Sequence, residues 1–228
     1  MTTLAAALEP TPTIDSQHPA VVAFVARHRG VGSEREQAIR LYYAVRDEIR
    51  YDPYSIVISS AGLSASRVLG TGLGWCVSKA VLLAACCRAS GIPARIGFAD
   101  VRNHLSTERM RALMQTNEFR WHGYTSILLD GAWRKATPAF NLSLCEKFRI
   151  RPLEFDGTTD SIYHPYDMDG REHMEYLRYR GEFIEVPIAE MSVEFARIYP
   201  RMMAAMTQGN FDAEVARETA PLHPALPG

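Results

Sequence analysis

Apolar positions along this chain fall into two periods. Over residues 34–50 they recur at helical spacing, placing Ala38, Leu41, Tyr42, Val45 and Ile49 on one face. Ser33, three residues before Glu36, supplies a capping box at the start. A shorter set, Val21, Val22, Phe24 and Val25, predicts a helix from Pro19 to near Gly30. A third helix is predicted over about residues 75–90, with Ala80, Leu83, Ala84 and Cys87 toward a core and Gly91-Ile92-Pro93 as its stop. After Pro93 the period drops to two. Residues 94–99 alternate, residues 119–129 form a strong strand, Asp130-Gly131 is a hairpin turn, and 133–137 is the returning strand, stopped by Pro138. Residues 188–206 read as helix. Between these elements, 55–74 reads as loop, 103–117 as a helical insertion or lid, and 138–160 as irregular.

Helices first and strands afterwards argue for an α+β fold with a helix packed on an antiparallel sheet. The 228 residues suffice for one sizeable core. The expected organisation is a loose leader over 1–16, a single domain over 17–204, and a Pro-rich tail over 205–228.

Charge and composition narrow the function classes. Lys plus Arg is 25 and Asp plus Glu is 26, a net charge of −1, which steers the chain neither to nucleic acid nor to an anionic membrane. The apolar runs are too short to span a bilayer. No basic region precedes a long apolar one at the start, so no secretory signal is expected. Four cysteines, at 76, 86, 87 and 145, do not resemble a disulfide framework. A reduced, cytoplasmic setting is the simplest expectation.

The candidate chemistry centres on Gly72-Leu73-Gly74-Trp75-Cys76-Val77. Cys76 falls at the start of the predicted buried helix, where orphan amides and the helix dipole favour a thiolate and can hold an oxyanion. A thiolate nucleophile needs an imidazole partner. Of His104, His122, His164 and His173, His122 is the best placed, opening a strand that would lie beside the cysteine helix. The hairpin brings Thr137 or Asn141 opposite it, to orient the ring. Trp75 and Tyr54 are candidates for oxyanion or substrate contacts, and Tyr51 could also bring a phenol near the sulfur. Arg102, Arg109, Arg111 and Arg120 could read an anionic group on a substrate.

The order Gly-Trp-Cys76-Val, then Arg88-Ala-Ser-Gly-Ile-Pro-Ala-Arg95, then His122, an Asp-Gly turn and Trp133 before Pro138 resembles the core of transglutaminase-like proteins over residues 34–142. The resemblance implies a papain-like cysteine-protease fold and a Cys–His–Asp triad, with Cys76 as nucleophile and His122 as base. The family's Asp position is occupied here by Thr137, and the chain reads His-Gly-Tyr where the family has His-Ala-Trp. A Thr hydroxyl can accept from the imidazole, but it does not stabilise an imidazolium as a carboxylate does.

The expected activity is therefore acyl transfer through a thioester on an amide or ester carbonyl of a peptide or small substrate. Water as acceptor gives a peptidase or amidase; an amine as acceptor gives a transglutaminase or amide synthase. No cofactor is implied. Two alternatives remain. One is a catalytically degenerate binding or scaffold module, suggested by the missing Asp. The other is a metal-dependent hydrolase using His164, Asp167, Asp169 and His173, although their spacing matches no fixed zinc pattern.

Overall fold

The computed structural model of the protein describes residues 4–103, 106–162, 174–205 and 209–220. Helix α1 spans Pro19–His28 and α2 spans Glu34–Glu48, opened by the expected Ser33/Glu36 capping box. A two-residue strand β1, Arg50–Tyr51, follows, then a single 3₁₀ turn at Pro53–Ser55. Helix α3 is Ser60–Leu63, α4 is Ala65–Thr71, and strand β2 is Leu73–Gly74, paired in parallel with β1. Helix α5 is Cys76–Ala89. Strand β3 is Ala94–Asn103, helix α6 Glu108–Met114, strand β4 Glu118–Leu129 and strand β5 Ala132–Ala136. Helix α7 is Leu142–Phe148 and strand β6 is Met174–Phe183. Helices α8 (Ile188–Ile198), α9 (Pro200–Ala205) and α10 (Phe211–Glu218) follow.

The expected α+β arrangement is present. Four antiparallel strands lie in the order β5-β4-β3-β6, and α5 packs across β4 and β3. Every residue from Cys76 to Arg88 is buried, so α5 is a central helix, apolar on almost all sides. Its two charges are satisfied in place. Lys79 donates to the carbonyls of Arg46 and Ile49 at the end of α2, at 2.8 and 2.6 Å. Arg88 donates to the carbonyls of Ala94, Glu9 and Ile184, tying the start of β3, the first residues and the chain beyond β6 to one side chain.

Several segments carry more structure than their patterning suggests. In 55–74, where a loop is expected, α3 and α4 form because Ser59 and Ser64 each accept from an amide of the turn they open. Leu63, Ala65 and Val68 are buried there, but helices of one or two turns show no readable period. Strand β6 is a charged edge strand, where the patterning predicts no element. The 188–206 helix is broken at Tyr199, since Pro200 starts a new helix. Ala7 and Ile14, in the segment expected as a leader, are fully buried, and so is Val215 of α10, in the segment expected as a tail.

Candidate active site

Cys76 is the first residue of α5 and is almost fully buried. Trp75 is the N-cap: its amide donates to Ser78 Oγ at 3.0 Å, and Ser78 Oγ donates back to the Trp75 carbonyl. This reciprocal pair fixes the first turn around the sulfur. Burial pushes the Cys76 thiol up to about 11, against hydrogen bonds from the amides of Gly123, Val77 and Cys76 itself, which favour the negative form. The helix start by itself therefore does not offset the burial of this sulfur. Desolvation outweighs the amides, although these remain in position to receive negative charge.

His122 reaches the same place from the sheet. It is buried on β4 opposite Ala99 of β3, and with Cys76 it lines a cavity of about 30 Å3. The close approach depends on Gly123. A Cβ there would stand 2.7 Å from Val77 Cα, a contact that real side chains do not make, so only glycine lets β4 lie against the first turn of α5.

A bulge just before His122 sets its aim. Ala99 pairs with His122 and Val101 with Phe119, so Asp100 alone opposes Arg120 and Trp121. Trp121 adopts φ 59°, a left-handed conformation rare for a bulky residue. The fully buried Asp100 carboxylate holds this shape, accepting from the Trp121 amide at 3.2 Å, Arg120 at 2.9 Å and Arg180 at 2.5 Å. Arg180 also forks onto Glu194, which accepts from the Trp121 indole at 2.7 Å. Burial alone would raise the Asp100 carboxyl; the Arg180, Arg120 and Trp121 donors outweigh it and hold it below the usual carboxylate range. No sequence signal marked Asp100, whose partners come from β4 and β6.

The other candidates divide. Thr137 shares a smaller cavity, about 10 Å3, with His122; its Oγ1 is buried and has no hydrogen-bond partner among the described residues. Asn141 is buried nearby but committed elsewhere: its Oδ1 accepts from the Tyr51 amide at 3.0 Å, and its Nδ2 donates to Ser143 Oγ at 2.8 Å. Trp75 lines the Cys76 cavity, with its indole against Phe195 and its Nε1 buried without a partner among the described residues. Tyr54 points away: its hydroxyl donates to Glu214 of α10 at 2.7 Å. Tyr51 takes the nearer place. It lines the Cys76 cavity, and burial, then the charge a Cys76 thiolate would carry, pushes its phenol well above the ordinary range.

Among the arginines, Arg120 reaches the cavity wall, with its guanidinium held by Asp100 and Glu118. Arg102 pairs with Glu175, Arg109 with Glu214, and Arg111 turns to the Ser106 carbonyl. His104, His164, Asp167, Asp169 and His173 lie outside the described residues. Among those described, no three His, Cys, Asp or Glu side chains gather as a metal site.

The family model of the transglutaminase-like superfamily matches residues 22–138, the stretch from α1 through β5 that carries both Cys76 and His122. The chain belongs to this superfamily. Among curated proteins none matches its sequence. Among solved structures it is similar to a candidate cysteine protease from Cytophaga hutchinsonii, at 14% identity and a TM-score of 0.46, covering 78% of this chain and 53% of that one. It is also similar to a candidate protease from Parabacteroides distasonis, at 18% identity and a TM-score of 0.39, covering 58% of this chain and 26% of that one. The chain thus spans about half the length of the first and a quarter of the second. The papain-like architecture expected for the superfamily, a cysteine heading a buried helix against an antiparallel sheet, is the one observed.

Proposed function

We propose that the protein catalyses acyl transfer through a thioester on Cys76. The observation that carries this reading is that Cys76 and His122, from different elements, line one water-poor cavity with the Gly123 amide directed at the sulfur. Cys76 Sγ attacks an amide or ester carbonyl as its proton passes to His122, so the thiolate forms with the substrate rather than before it. The C–S bond forms, the bond to the leaving group breaks, and His122 returns the proton to that group. Water, or an amine, then attacks the thioester with its proton passing through His122 to the sulfur. The Cys76 amide and the Trp75 indole N–H are the oxyanion donors in this reading. Thr137 orients His122, in place of the family's Asp. The substrate is a peptide or a small amide or ester, and hydrolysis is the preferred outcome.

A binding module of the same fold is the competing reading, favoured by Thr137 at the Asp position and by the burial of the thiol, which disfavours its ionisation. Intact-protein mass after incubation with activated esters and amides separates the two. An acyl adduct on the wild type that disappears in Cys76→Ala supports catalysis. No adduct, together with Cys76 alkylation no faster than that of Cys86, Cys87 or Cys145, supports the module.

A further inference from the structure

Two cavities lie side by side at the candidate active site. The one holding Cys76 and His122 measures about 30 Å3, and its neighbour about 20 Å3. Tyr51, Pro53, Met110 and Phe119 belong to the walls of both. Beyond them the second cavity continues to Phe140, Phe148, Ile150 and Phe211, with Asn103 and Ser106 as its polar members, and the first to Met114, Phe195 and Met202. Arg120 is the charged side chain, besides His122 itself, that the described walls offer near the sulfur, and its guanidinium is already neutralised by Asp100 and Glu118.

We infer that the acyl group transferred to Cys76 is apolar, an unbranched aliphatic or aryl chain that runs from the sulfur past Tyr51 and Phe119 toward Phe140. This rests on the acyl-transfer reading above. A carboxylate entering this slot would leave water and meet mostly carbon, since the polar side chains in the walls are few, the Tyr51 phenol, the Trp75 indole and, in the second cavity, Asn103 and Ser106, and Arg120 is already paired. A methylene entering it leaves water favourably. The cavities as they stand admit little more than a methyl group or a water each. The side chains between and above them are adaptable ones: Met110, Met114 and Met202 have unbranched, polarisable side chains that repack at low cost. The slot therefore widens by side-chain rotation around a guest of the right chemistry, while Tyr51 and Phe119 stay as its flat walls.

The test is single-turnover acylation of the full chain by p-nitrophenyl acetate, butyrate, hexanoate and octanoate, with the singly charged p-nitrophenyl glutarate as the polar chain. Nitrophenolate release and intact mass are both read, and rates are normalised to those of a free thiol. The expected result is a rise of about fourfold per methylene until the slot is filled, with glutarate slower than hexanoate by more than 100-fold. Met110→Gln is expected to reduce the ratio of hexanoyl to acetyl rate at least tenfold, and Met110→Leu to keep it. Acylation of Cys76 with no dependence on chain length, or with glutarate as fast as hexanoate, overturns the apolar slot and leaves the nucleophile standing. Absence of any acylation on Cys76 overturns both.

Discussion

Gly123 lies so close to Val77 that a Cβ on it would stand 2.7 Å from the Val77 Cα. Each of the two residues follows a candidate catalytic one, so this contact sets how near β4 brings His122 to Cys76. It also directs the Gly123 amide at the sulfur. Gly123→Ala must push the strand from the helix. The expected cost is about 1–3 kcal/mol of stability, as for other overpacked sites. Acylation should fall on the order of 100-fold, the usual consequence of moving a reacting pair by about an ångström. Thermal unfolding and single-turnover kinetics on the same variant measure both. A variant that is destabilised yet acylates at the wild-type rate would show that the close approach serves packing alone.

Asp100 holds the bulge that precedes His122, through Arg120, Arg180 and the Trp121 amide. Asp100→Asn keeps the shape but removes the charge between two guanidinium groups. Breaking one side of a buried ion pair costs about 3–5 kcal/mol. Because the bulge also aims His122, the acylation rate should fall further than in Leu129→Ala, a cavity variant in the same strand with a cost of about 2–5 kcal/mol. Equal losses of rate in the two variants, at matched stability, would reduce Asp100 to a structural role.

Thr137 Oγ1 is buried beside His122 and has no hydrogen-bond partner among the described residues. Replacing it with Val should leave stability within about 1 kcal/mol, because no hydrogen bond is lost. Under the acyl-transfer reading the hydroxyl accepts from the ring only during turnover, so Thr137→Val slows acylation severalfold. Thr137→Asp restores a carboxylate at the superfamily's position. It should raise the basicity of His122, moving the acid limb of the pH–rate profile upward and increasing the rate near neutrality at least tenfold. A folded Thr137→Asp protein with an unchanged profile would mean that the ring is oriented from another side.

How far the sequence carried the reading can be seen residue by residue. Helix α2, the cysteine helix, the β4–β5 hairpin and the Ser33 cap were legible because each rests on local periodicity or on one side-chain-to-backbone bond. Cys76 and His122 were legible as a pair through the residues around them. Asp100 was not, because its significance is non-local, and Tyr51 was legible only as one of two phenols, with Tyr54, that could approach the sulfur. Tyr51 is fixed at the site by Asn141, ninety positions on. Asp100 acquires its partners from Arg120 and Trp121 of β4 and from Arg180 of β6, eighty positions on. The upward shift of the Cys76 thiol is not legible for a related reason. The helix start is visible in the sequence, but the layers of side chains that exclude water from it are contributed by α6, α8 and α9.

Lys79 ties the stability of the fold to pH. The side chain is completely buried and donates to the Arg46 and Ile49 carbonyls. Burial pulls its ammonium down to about 7, against a weaker raising effect of Asp47. The unfolded chain keeps an ordinary lysine near 10.4, so between about pH 7 and pH 10 the unfolded state binds more protons than the folded one. Stability then rises with pH across that window, by up to about 1.4 kcal/mol per pH unit. The buried thiols act in the opposite direction: burial raises Cys76 to about 11 and Cys87 and Cys145 to about 12. Unfolded thiols ionise from about pH 8.5, so the folded state loses ground above that point. The urea midpoint should therefore climb from pH 7 to about pH 8 and then turn over, because several thiols titrate against one lysine. Lys79→Met should be less stable at every pH, because two carbonyls lose their donor, and should lack the climb. A wild-type midpoint that is flat or falling between pH 7 and about pH 8, or a Lys79→Met curve parallel to it, would show that the two carbonyls keep the ammonium charged in the folded protein.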